Sequence, residues 1–344
     1  MMLNREQRPK IIFQIFARIP LSLLGRLART NLIIPYYHMV SDENILHVKH
    51  LYRYKTIREF REDIDFLLKT YSPMGLIDLL NYMKTGRSLP DRVFLLTFDD
   101  GYREIGDIVA PILLEKGISA TFFVNSAFID NKQLCYLNKA SLIVEQFQKR
   151  WSSGLEKKLS GMLHHSKEMG FDDIKSGILS ITYQQRGLLD EISNVMNIDF
   201  SDYLLVNKPY LTSNQINKLI ESGFTLGAHS IDHPVYPSLS LEDQLHQTIE
   251  SVKFVREMFH LSYGVFAFPF SDHNISKEFF ARLSYSGLID LSFGTAGLIE
   301  DSAPNHLQRF SLEKPINTAD RIVAFQHARK LKNLITRNPI IIRK

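Results

Sequence analysis

The sequence has one cysteine and no long apolar run, and these absences narrow the class of protein. Cys135 is the only cysteine in 344 residues, which excludes an intrachain disulfide framework and a zinc site built from cysteines. No stretch approaches the roughly 18–20 consecutive apolar residues of a membrane-spanning helix, so a transmembrane protein is not expected. Hydrophobic residues make up 44% of the chain and charged residues 23%. This balance is typical of a folded globular protein and excludes disorder as its main state.

The excess of positive charge is also small. Lys and Arg number 41 against 37 Asp and Glu, a net charge of +4, so nothing indicates a nucleic-acid partner.

Basic side chains do cluster with apolar ones over residues 8–29, which is consistent with an amphipathic helix on a membrane surface or with a helix packed on the domain. Gln14, Arg18 and Pro20 interrupt this segment, unlike the apolar core of a secretory signal. We expect a cytoplasmic or membrane-peripheral protein, with export through an uncleaved, atypical signal as the remaining alternative.

Strand-like and helix-like segments alternate through most of the chain. Apolar, β-branched segments at 31–39, 93–97 and 119–125 are separated by segments of helical periodicity, and the alternation resumes after residue 210. This order predicts a parallel α/β fold, either open or closed into a barrel. Between the two halves, helical signals dominate, which indicates a helical insertion. The predicted division is an N-terminal segment at 1–30, a first barrel part at 31–130, the insertion at 131–209, and a second barrel part with a C-terminal helix at 210–344.

Two adjacent aspartates follow one of the predicted strands. Asp99 and Asp100 lie in the motif TFDDGY, where the strand at 93–97 ends and a helix begins. Active sites of parallel α/β folds gather at the C-terminal ends of strands, and neighbouring carboxylates are costly to bury without a cation or a partner. The pair is therefore either part of a catalytic site or a helix-capping aspartate beside a solvated one.

Two histidines follow another predicted strand, at 224–228. His229 and His233 are four positions apart in the motif HSIDH, and this spacing places two imidazoles on one face of a helical turn, where they can bind one metal ion. The motif alone is weak evidence. Combined with an aspartate from the TFDDG motif, it supplies three ligands and an open position, which is typical of a catalytic zinc site.

A third motif, FAFPFSDH at 266–273, again ends a predicted strand. Together the TFDDG, HSxxH and Pro-aromatic motifs, in this order, resemble the polysaccharide deacetylase family, the NodB-homology hydrolases of the carbohydrate esterase family 4 type. The resemblance implies a distorted (β/α)7 barrel that removes N-acetyl groups from an amino-sugar polysaccharide or glycan precursor. It also implies roles for individual residues: Asp99 as general base, Asp100, His229 and His233 as ligands of a divalent metal, expected to be Zn²⁺, and Phe270 and Tyr102 in oxyanion and substrate binding.

The third motif departs from the family pattern. Many members carry an arginine where Ala267 stands, and that arginine orients the base. FAFPF instead resembles the variant of poly-N-acetylglucosamine deacetylases. We therefore expect Asp99 to be less well oriented, with a less depressed pKa, unless Asp272 or His273 compensates. The alternative function is a metal- or glycan-binding protein with little turnover.

The general acid is the least determined residue, because the family's late Leu-x-His motif is not clear in this sequence. His38 is one candidate, since it ends the first predicted strand and that end faces the site. His306, in NHLQRF, is the second. His273, Arg309 and water are the remaining alternatives.

Overall fold

The computed structural model describes residues 21–163, 170–313 and 318–344. The strands in chain order are β1 Leu32–Ile33, β2 Pro35–Tyr37, β3 Ser72–Pro73, β4 Val93–Phe94, β5 Leu96–Phe98, β6 Ala120–Val124, β7 Thr225–Ala228, β8 Val265–Ala267, β9 Leu291–Gly294, β10 Glu300–Asp301, β11 His306–Gln308, β12 Phe310–Ser311 and β13 Ile340–Ile341. Eight of them form one sheet in the order β11-β9-β8-β7-β6-β5-β2-β12. Every pairing in this sheet is parallel, as the strand–helix alternation predicts.

The two edges of this sheet are consecutive pieces of chain. Strand β11 pairs with β9 at one edge, and β12 pairs with β2 at the other, yet only Arg309 separates them in sequence. The segment 306–311 therefore spans the gap between the edges and nearly closes the sheet into a barrel with seven strand positions. This confirms the predicted fold class. It also places the backbone of Arg309 at the closure, where its N–H donates to the carbonyl of Gly294 at 3.1 Å.

Helices cover the outside of the barrel, and several begin at residues that cap their first turn. Thr56 and Thr212 each open a helix with a capping box, completed by Glu59 and Gln215. The helices in chain order are α1 Leu21–Leu27, α2 Ile57–Thr70, α3 Leu76–Thr85, α4 Ala110–Glu115, α5 Tyr136–Lys149, α6 Ser153–Met162, α7 Phe171–Leu179, α8 Gly187–Val195, α9 Phe200–Asn207, α10 Ser213–Glu221, α11 Leu241–Met258, α12 Lys277–Tyr285 and α13 Ala319–Ile335. A π-helical turn, Ile105–Val109, leads into α4.

Helices α5 to α9 come from the segment between the first two motifs and pack around an apolar cluster of their own. Phe147, Leu159 and Ile192 are fully buried in it. The same cluster takes in Met39 and Tyr102, which follow the barrel strands β2 and β5. The helices of residues 131–209 are thus packed against the end of the barrel at which these strands terminate.

The N-terminal segment is only partly described. Helix α1 contacts α13, where Lys330 donates to the carbonyl of Arg29, and residues 1–20 of the predicted amphipathic segment lie outside the described residues. Among the helices described, none combines the length and apolar character needed to cross a membrane.

Candidate active site

The predicted site residues lie at one end of the barrel, because parallel strands present their C-terminal ends at the same edge. Asp99 and Asp100 follow β5, and the backbone N–H of Asp99 donates to the carbonyl of Tyr37 at 2.9 Å. His229 follows β7, and its N–H donates to the carbonyl of Val124 at 2.9 Å. His233, Phe270 and His38 reach the same end on the segments that follow β7, β8 and β2.

Asp100, His229 and His233 form a group whose ligand atoms lie within 4.8 Å of one another. Asp100 Oδ1 is 3.2 Å from Nε2 of His233 and 3.5 Å from Nε2 of His229. His229 Nδ1 lies 2.8 Å from the carbonyl of Ala267, so this nitrogen carries the proton and the lone pair of Nε2 faces Asp100. Burial lowers the pKa of His229 to about 4, which keeps the ring in its neutral, ligating form.

This arrangement fits a divalent cation. Asp100 Oδ1 is buried and makes no hydrogen bond in the described structure, and two imidazole nitrogens face it. A carboxylate oxygen and a neutral ring nitrogen are both acceptors, so they are stabilised together by a positive ion between them. The donor set of one carboxylate and two imidazoles suits zinc and leaves positions open for other ligands.

Left-handed backbone conformations occur at two residues of this group and at the nearby Phe270. Asp100, His233 and Phe270 have φ values of 70°, 64° and 55°, in the left-handed region that non-glycine residues seldom adopt. Gly101 also has a positive φ, 66°, and a Cβ there would lie 2.9 Å from the Val124 side chain, which accounts for the glycine of the DDG motif. Each strained residue costs about 1–3 kcal/mol, and such residues cluster at functional sites.

Asp99 is held by an arginine, but from an unexpected part of the chain. Arg309 Nη1 donates to Asp99 Oδ1 at 2.7 Å, and Nη2 donates to Oδ2 at 2.8 Å. Both side chains are buried, and the guanidinium also lies over the rings of Tyr36 and Phe123. Burial opposes ionisation of Asp99, but the charges of Arg309, His229 and His38 and the hydrogen bonds from Arg309 together outweigh it, so the pKa of Asp99 is lowered.

This pair corrects the expectation drawn from Ala267. Asp99 is firmly oriented, and neither of the residues suggested as substitutes holds it. His273 is exposed, and Asp272 pairs with other groups, described below. From the sequence alone, Arg309 is predicted only as a candidate acid. In the structure both of its terminal nitrogens donate to Asp99, so it is a positioning residue for that carboxylate.

The two histidines proposed as acids have different surroundings. His38 lines the pocket beside Asp100, and its Nδ1 lies 2.5 Å from Oε2 of Glu313. Burial alone would lower the pKa of His38, but the Glu313 carboxylate raises it to about 9. Glu313 is itself held, since Oε1 accepts the backbone N–H groups of His38 and Met39 at 2.8 and 2.9 Å.

His306 lies away from this pocket. Its ring is fully buried and packs edge-on against Phe268, while Nε2 lies 3.1 Å from Oδ2 of Asp272. The Arg343 guanidinium completes that cluster by pairing with both Asp272 and Asp301. The structure therefore brings His38 to the site and separates His306 from it.

A cavity of about 750 Å³ opens beside the Asp100 group. Tyr102 lines it, with the phenol oxygen accepting a hydrogen bond from Asn138 Nδ2 at 3.0 Å. Phe270 lines it as well and is 45% exposed, with its ring packed edge-on against His233. Both residues predicted for oxyanion or substrate binding thus border the cavity.

Asn125 is a site residue that sequence reasoning missed. It follows β6, lines the cavity, and donates from Nδ2 to the carbonyl of His229 and to Ser230 Oγ. Its Oδ1 is buried without a hydrogen-bond partner in the described structure. Asn125 could have been found from the sequence by its position, because it follows β6, which lies between the two strands that carry the TFDDG and HSIDH motifs.

Comparisons with known proteins agree with this geometry. The family model described as Polysaccharide deacetylase matches residues 86–285. No curated protein matches the chain significantly in sequence.

Several solved structures share the fold. The Streptococcus pyogenes deacetylase PplD, solved with acetate, superposes with a TM-score of 0.54 at 12% identity, covering 86% of this chain and 97% of the other. A de-N-acetylase from Aggregatibacter actinomycetemcomitans superposes with a TM-score of 0.53 at 12% identity, and the match covers 86% of this chain and 99% of the other. IcaB from Ammonifex degensii superposes with a TM-score of 0.51 at 15% identity, and the match covers 86% of this chain and 97% of the other.

The family model covers more than half of the chain, and it includes the TFDDG, HSxxH and Pro-aromatic motifs. The barrel and the motif order agree with this match. The resemblance seen in the sequence is thereby confirmed at the level of the family, and the chain belongs to the polysaccharide deacetylase family, whose members are hydrolases.

Proposed function

We propose that the protein is a metal-dependent N-deacetylase that hydrolyses acetamido groups of amino sugars in a glycan. The observation that carries the proposal is the position of Asp99, held by Arg309, next to the Asp100, His229 and His233 group at the strand ends. Asp100 and His233 of this group line the cavity. These residues supply a base and a ligand set at the same strand ends, as amide hydrolysis requires.

Asp100, His229 and His233 would hold the ion, with Zn²⁺ favoured by the two imidazoles. When bound, the ion would supply a Lewis acid for the acetyl carbonyl and would make an attacking water more acidic. The contact from the carbonyl of Ala267 to His229 Nδ1 keeps the ring oriented for this role.

Asp99 would accept the proton of the attacking water. A general base must be ionised and correctly placed, and the two hydrogen bonds from Arg309 favour both conditions. Each carboxylate oxygen retains a further lone pair after it accepts one hydrogen bond. Asp99 can therefore receive the proton without breaking its pair with Arg309.

His38 would donate a proton to the departing sugar amine. Its raised pKa, about 9, keeps the imidazole protonated near neutral pH. Glu313 holds Nδ1 and leaves Nε2 for the donation, the same division of roles as in other carboxylate–histidine pairs. The backbone N–H of Phe270 would donate to the oxyanion.

The subtype is part of the proposal. The absence of an arginine at position 267 resembles the poly-N-acetylglucosamine deacetylase variant, and Arg309 provides the contact that the missing arginine makes elsewhere. The acetate bound in the Streptococcus pyogenes deacetylase is the product expected here as well. The alternative, a binding protein without turnover, depends on a poorly oriented Asp99, whereas Arg309 holds this carboxylate with two hydrogen bonds; the proposal of an active enzyme is supported by this pair.

Location is a separate proposal. Residues 8–29 would bind the headgroup region of an anionic membrane through their basic side chains and through apolar side chains that are not packed on the domain, such as the exposed Leu23 and Leu27 of α1. Sedimentation of the full chain with anionic and neutral vesicles tests this, and equal binding to both would contradict it.

Acetate release from N-acetylglucosamine oligomers tests the proposed function. We expect activity that a chelator removes and that Zn²⁺ restores. Asp99→Asn should keep the metal and lose turnover, because it removes a base and leaves the ligands intact. Full activity after treatment with the chelator would contradict the metal dependence. An active Asp99→Asn variant would contradict the role of Asp99 as general base.

A further inference from the structure

We infer that the helical insertion is a working part of the metal site, and that Tyr183 of the insertion is a positioning residue for the predicted ligand His233. The inference rests on the proposed function in one respect, since that function assigns the metal to the Asp100 group. It goes further by giving a role in metal binding to a segment outside the predicted ligand set. Tyr183 acts on residues 229–233, HSIDH, which we call the ligand turn.

The ligand turn has a backbone conformation that its own residues do not favour. Ser230 and His233 have φ values of 72° and 64°, in the left-handed region that residues other than glycine seldom adopt. Such conformations persist where the surrounding structure fixes them. Contacts from outside the ligand turn are therefore needed to hold it.

The two histidines of the ligand turn differ in how their rings are held. His229 Nδ1 contacts the carbonyl of Ala267 at 2.8 Å, so a hydrogen bond orients this ring. His233 Nδ1 is buried and has no hydrogen-bond partner among the described residues. Its ring packs edge-on against Phe270, and its backbone N–H donates to Ser230 Oγ at 3.0 Å. The position of the His233 ring therefore depends on the backbone of the ligand turn.

One side of the ligand turn is held by the segment that follows β6. The backbone N–H of Ala127 donates to the carbonyl of Ile231 at 3.0 Å, and Asn125 donates to the carbonyl of His229. These two contacts do not involve the side chain of Asp232, which is held from the other side of the turn.

The Asp232 carboxylate accepts hydrogen bonds from two elements. The Tyr183 hydroxyl lies 2.8 Å from Oδ1 and 2.7 Å from Oδ2, and Gln247 Nε2 of α11 donates to Oδ1 at 2.8 Å. Gln247 Oε1 also accepts the backbone N–H of Ile231 at 2.9 Å. Because hydrogen bonds to a carboxylate are stronger than those between neutral groups, Asp232 connects the ligand turn firmly to the insertion and to α11.

Tyr183 is itself fixed within the insertion. It lies between α7 and α8 and is only 8% exposed. Its ring packs edge-on against Tyr136 of α5, and the guanidinium of Arg186 lies 4.0 Å from the ring centre. The insertion helices therefore set the position of the hydroxyl, and the hydroxyl in turn sets the position of the residue next to His233.

The same loop of the insertion makes a second contact that provides a control. Gln184 Nε2 donates to Ser238 Oγ at 2.8 Å, beyond the ligand turn. This contact joins the insertion to the barrel without touching a neighbour of a predicted ligand. Tyr183 differs, because its partner Asp232 directly precedes His233. Two successive residues of the insertion thus separate a role in metal binding from a purely structural one.

The experiment measures the affinity of the full chain for Zn²⁺ by competition with a chromophoric chelator. We expect Tyr183→Phe to lower the affinity about tenfold, because it removes the hydroxyl, keeps the ring, and loosens a contact that supports a metal ligand. Gln184→Ala should leave the affinity unchanged. The absorption spectrum of the Co²⁺-loaded protein reports the ligand geometry, so it should change in Tyr183→Phe and not in Gln184→Ala.

A second measurement tests whether Tyr183 acts through Asp232. Asp232→Ala should lower the Zn²⁺ affinity about 10- to 100-fold, because it removes the contacts of both Tyr183 and Gln247. In the Asp232→Ala background, Tyr183→Phe should have no further effect. If Tyr183→Phe fails to fold, Gln247→Met tests the same contact from α11 and should also lower the affinity.

Unchanged affinity and an unchanged Co²⁺ spectrum in Tyr183→Phe, or unchanged affinity in Gln247→Met where that variant is needed, would overturn this inference and leave the proposed function standing. An equal loss in Gln184→Ala, or an equal effect of Tyr183→Phe with and without Asp232, would also contradict it. A wild-type protein that binds neither Zn²⁺ nor Co²⁺ would overturn the metal dependence of the proposed function and the inference with it.

Discussion

Two clusters of aspartate and histidine lie on this barrel, and they differ in what neutralises their charge. The first contains Asp100, His229 and His233, and the second contains Asp272, Asp301 and His306. In both, the possible ligand atoms lie within 4.8 Å of one another. The second cluster contains the guanidinium of Arg343, which pairs with both of its aspartates.

The difference shows that residue type and burial alone do not identify a metal site. His229 and His306 are both buried, and each cluster would be unfavourable without a cation. In the second cluster the chain supplies that cation. In the first, Asp100 Oδ1 has no hydrogen-bond partner in the described structure, and the group borders the cavity. A cation from solution is therefore expected only at the first cluster.

The sharpest test compares the same substitution in the two clusters. Asp100→Asn should abolish metal binding and lower acetate release by at least about 10⁴-fold, because the contribution of the ion to the transition state is several kcal/mol. Asp272→Asn should retain both metal and activity. Metal analysis of the purified variants, together with acetate release, measures this. Full metal content in Asp100→Asn would show that the first cluster does not bind the ion.

The second test compares the two arginines. Arg309→Met leaves Asp99 without its partner, so the base is disordered and its pKa rises, and we expect turnover to fall about 1,000-fold. Arg343→Met leaves Asp272 and Asp301 without their cationic partner. We expect both arginine variants to lose about 3–5 kcal/mol of unfolding free energy, because each leaves a buried carboxylate unpaired, but Arg343→Met should keep turnover within a few-fold of the wild type. Steady-state kinetics and denaturant unfolding of both variants separate the two effects. Equal losses of turnover would contradict a specific role for Arg309.

Ala267→Arg provides a control for the same comparison. Ala267 is fully buried and pairs with Phe293 of the neighbouring strand, and Asp99 already has a guanidinium. The added side chain should therefore destabilise the protein by about 1–3 kcal/mol without raising turnover. A large gain in rate would show that Arg309 does not replace the family arginine.

The third test concerns the two carboxylate–histidine pairs. The pKa of His38 is raised to about 9, so activity that depends on protonated His38 is present below that pH and lost above it. Glu313→Gln removes the charge that raises the pKa, so the alkaline limb of kcat/KM should shift to lower pH and the maximum should fall about 100-fold. Asp272→Asn, beside His306, should leave the limb in place. If the alkaline limb of kcat/KM does not shift in Glu313→Gln, then that limb does not report the protonation of His38, and His38 is not the general acid.

The sequence predicts the parts of this site that are local to one motif. TFDDG and HSIDH each follow their own strand, so parallel pairing alone brings Asp100 and His229 to one edge. The orienting groups are different. Arg309 lies 210 positions from Asp99, and Glu313 lies 275 positions from His38. Their contacts depend on how the segment 306–311 closes the barrel, and a single sequence does not encode that closure as a recognisable pattern.

The smallest effect is expected in the acid stability of the second cluster. Burial opposes ionisation of Asp272, but its contacts with His306, Gln308 and Arg343 outweigh it and hold the pKa of Asp272 well below the ordinary value. A carboxyl group with a depressed pKa stabilises the folded state above its unfolded pKa, near 4, and loses this contribution as the pH falls further. The wild type should therefore exceed Asp272→Asn by about 2 kcal/mol in unfolding free energy above about pH 5, and the difference should narrow below about pH 4. Urea unfolding of both proteins between pH 3 and pH 7, with turnover measured in parallel, gives the comparison. A difference that stays constant to the lowest pH would show that Asp272 contributes packing or neutral hydrogen bonds. That result would mean that the two clusters do not differ in the way their charge is neutralised, which is the basis of the comparison with the cluster around Asp100.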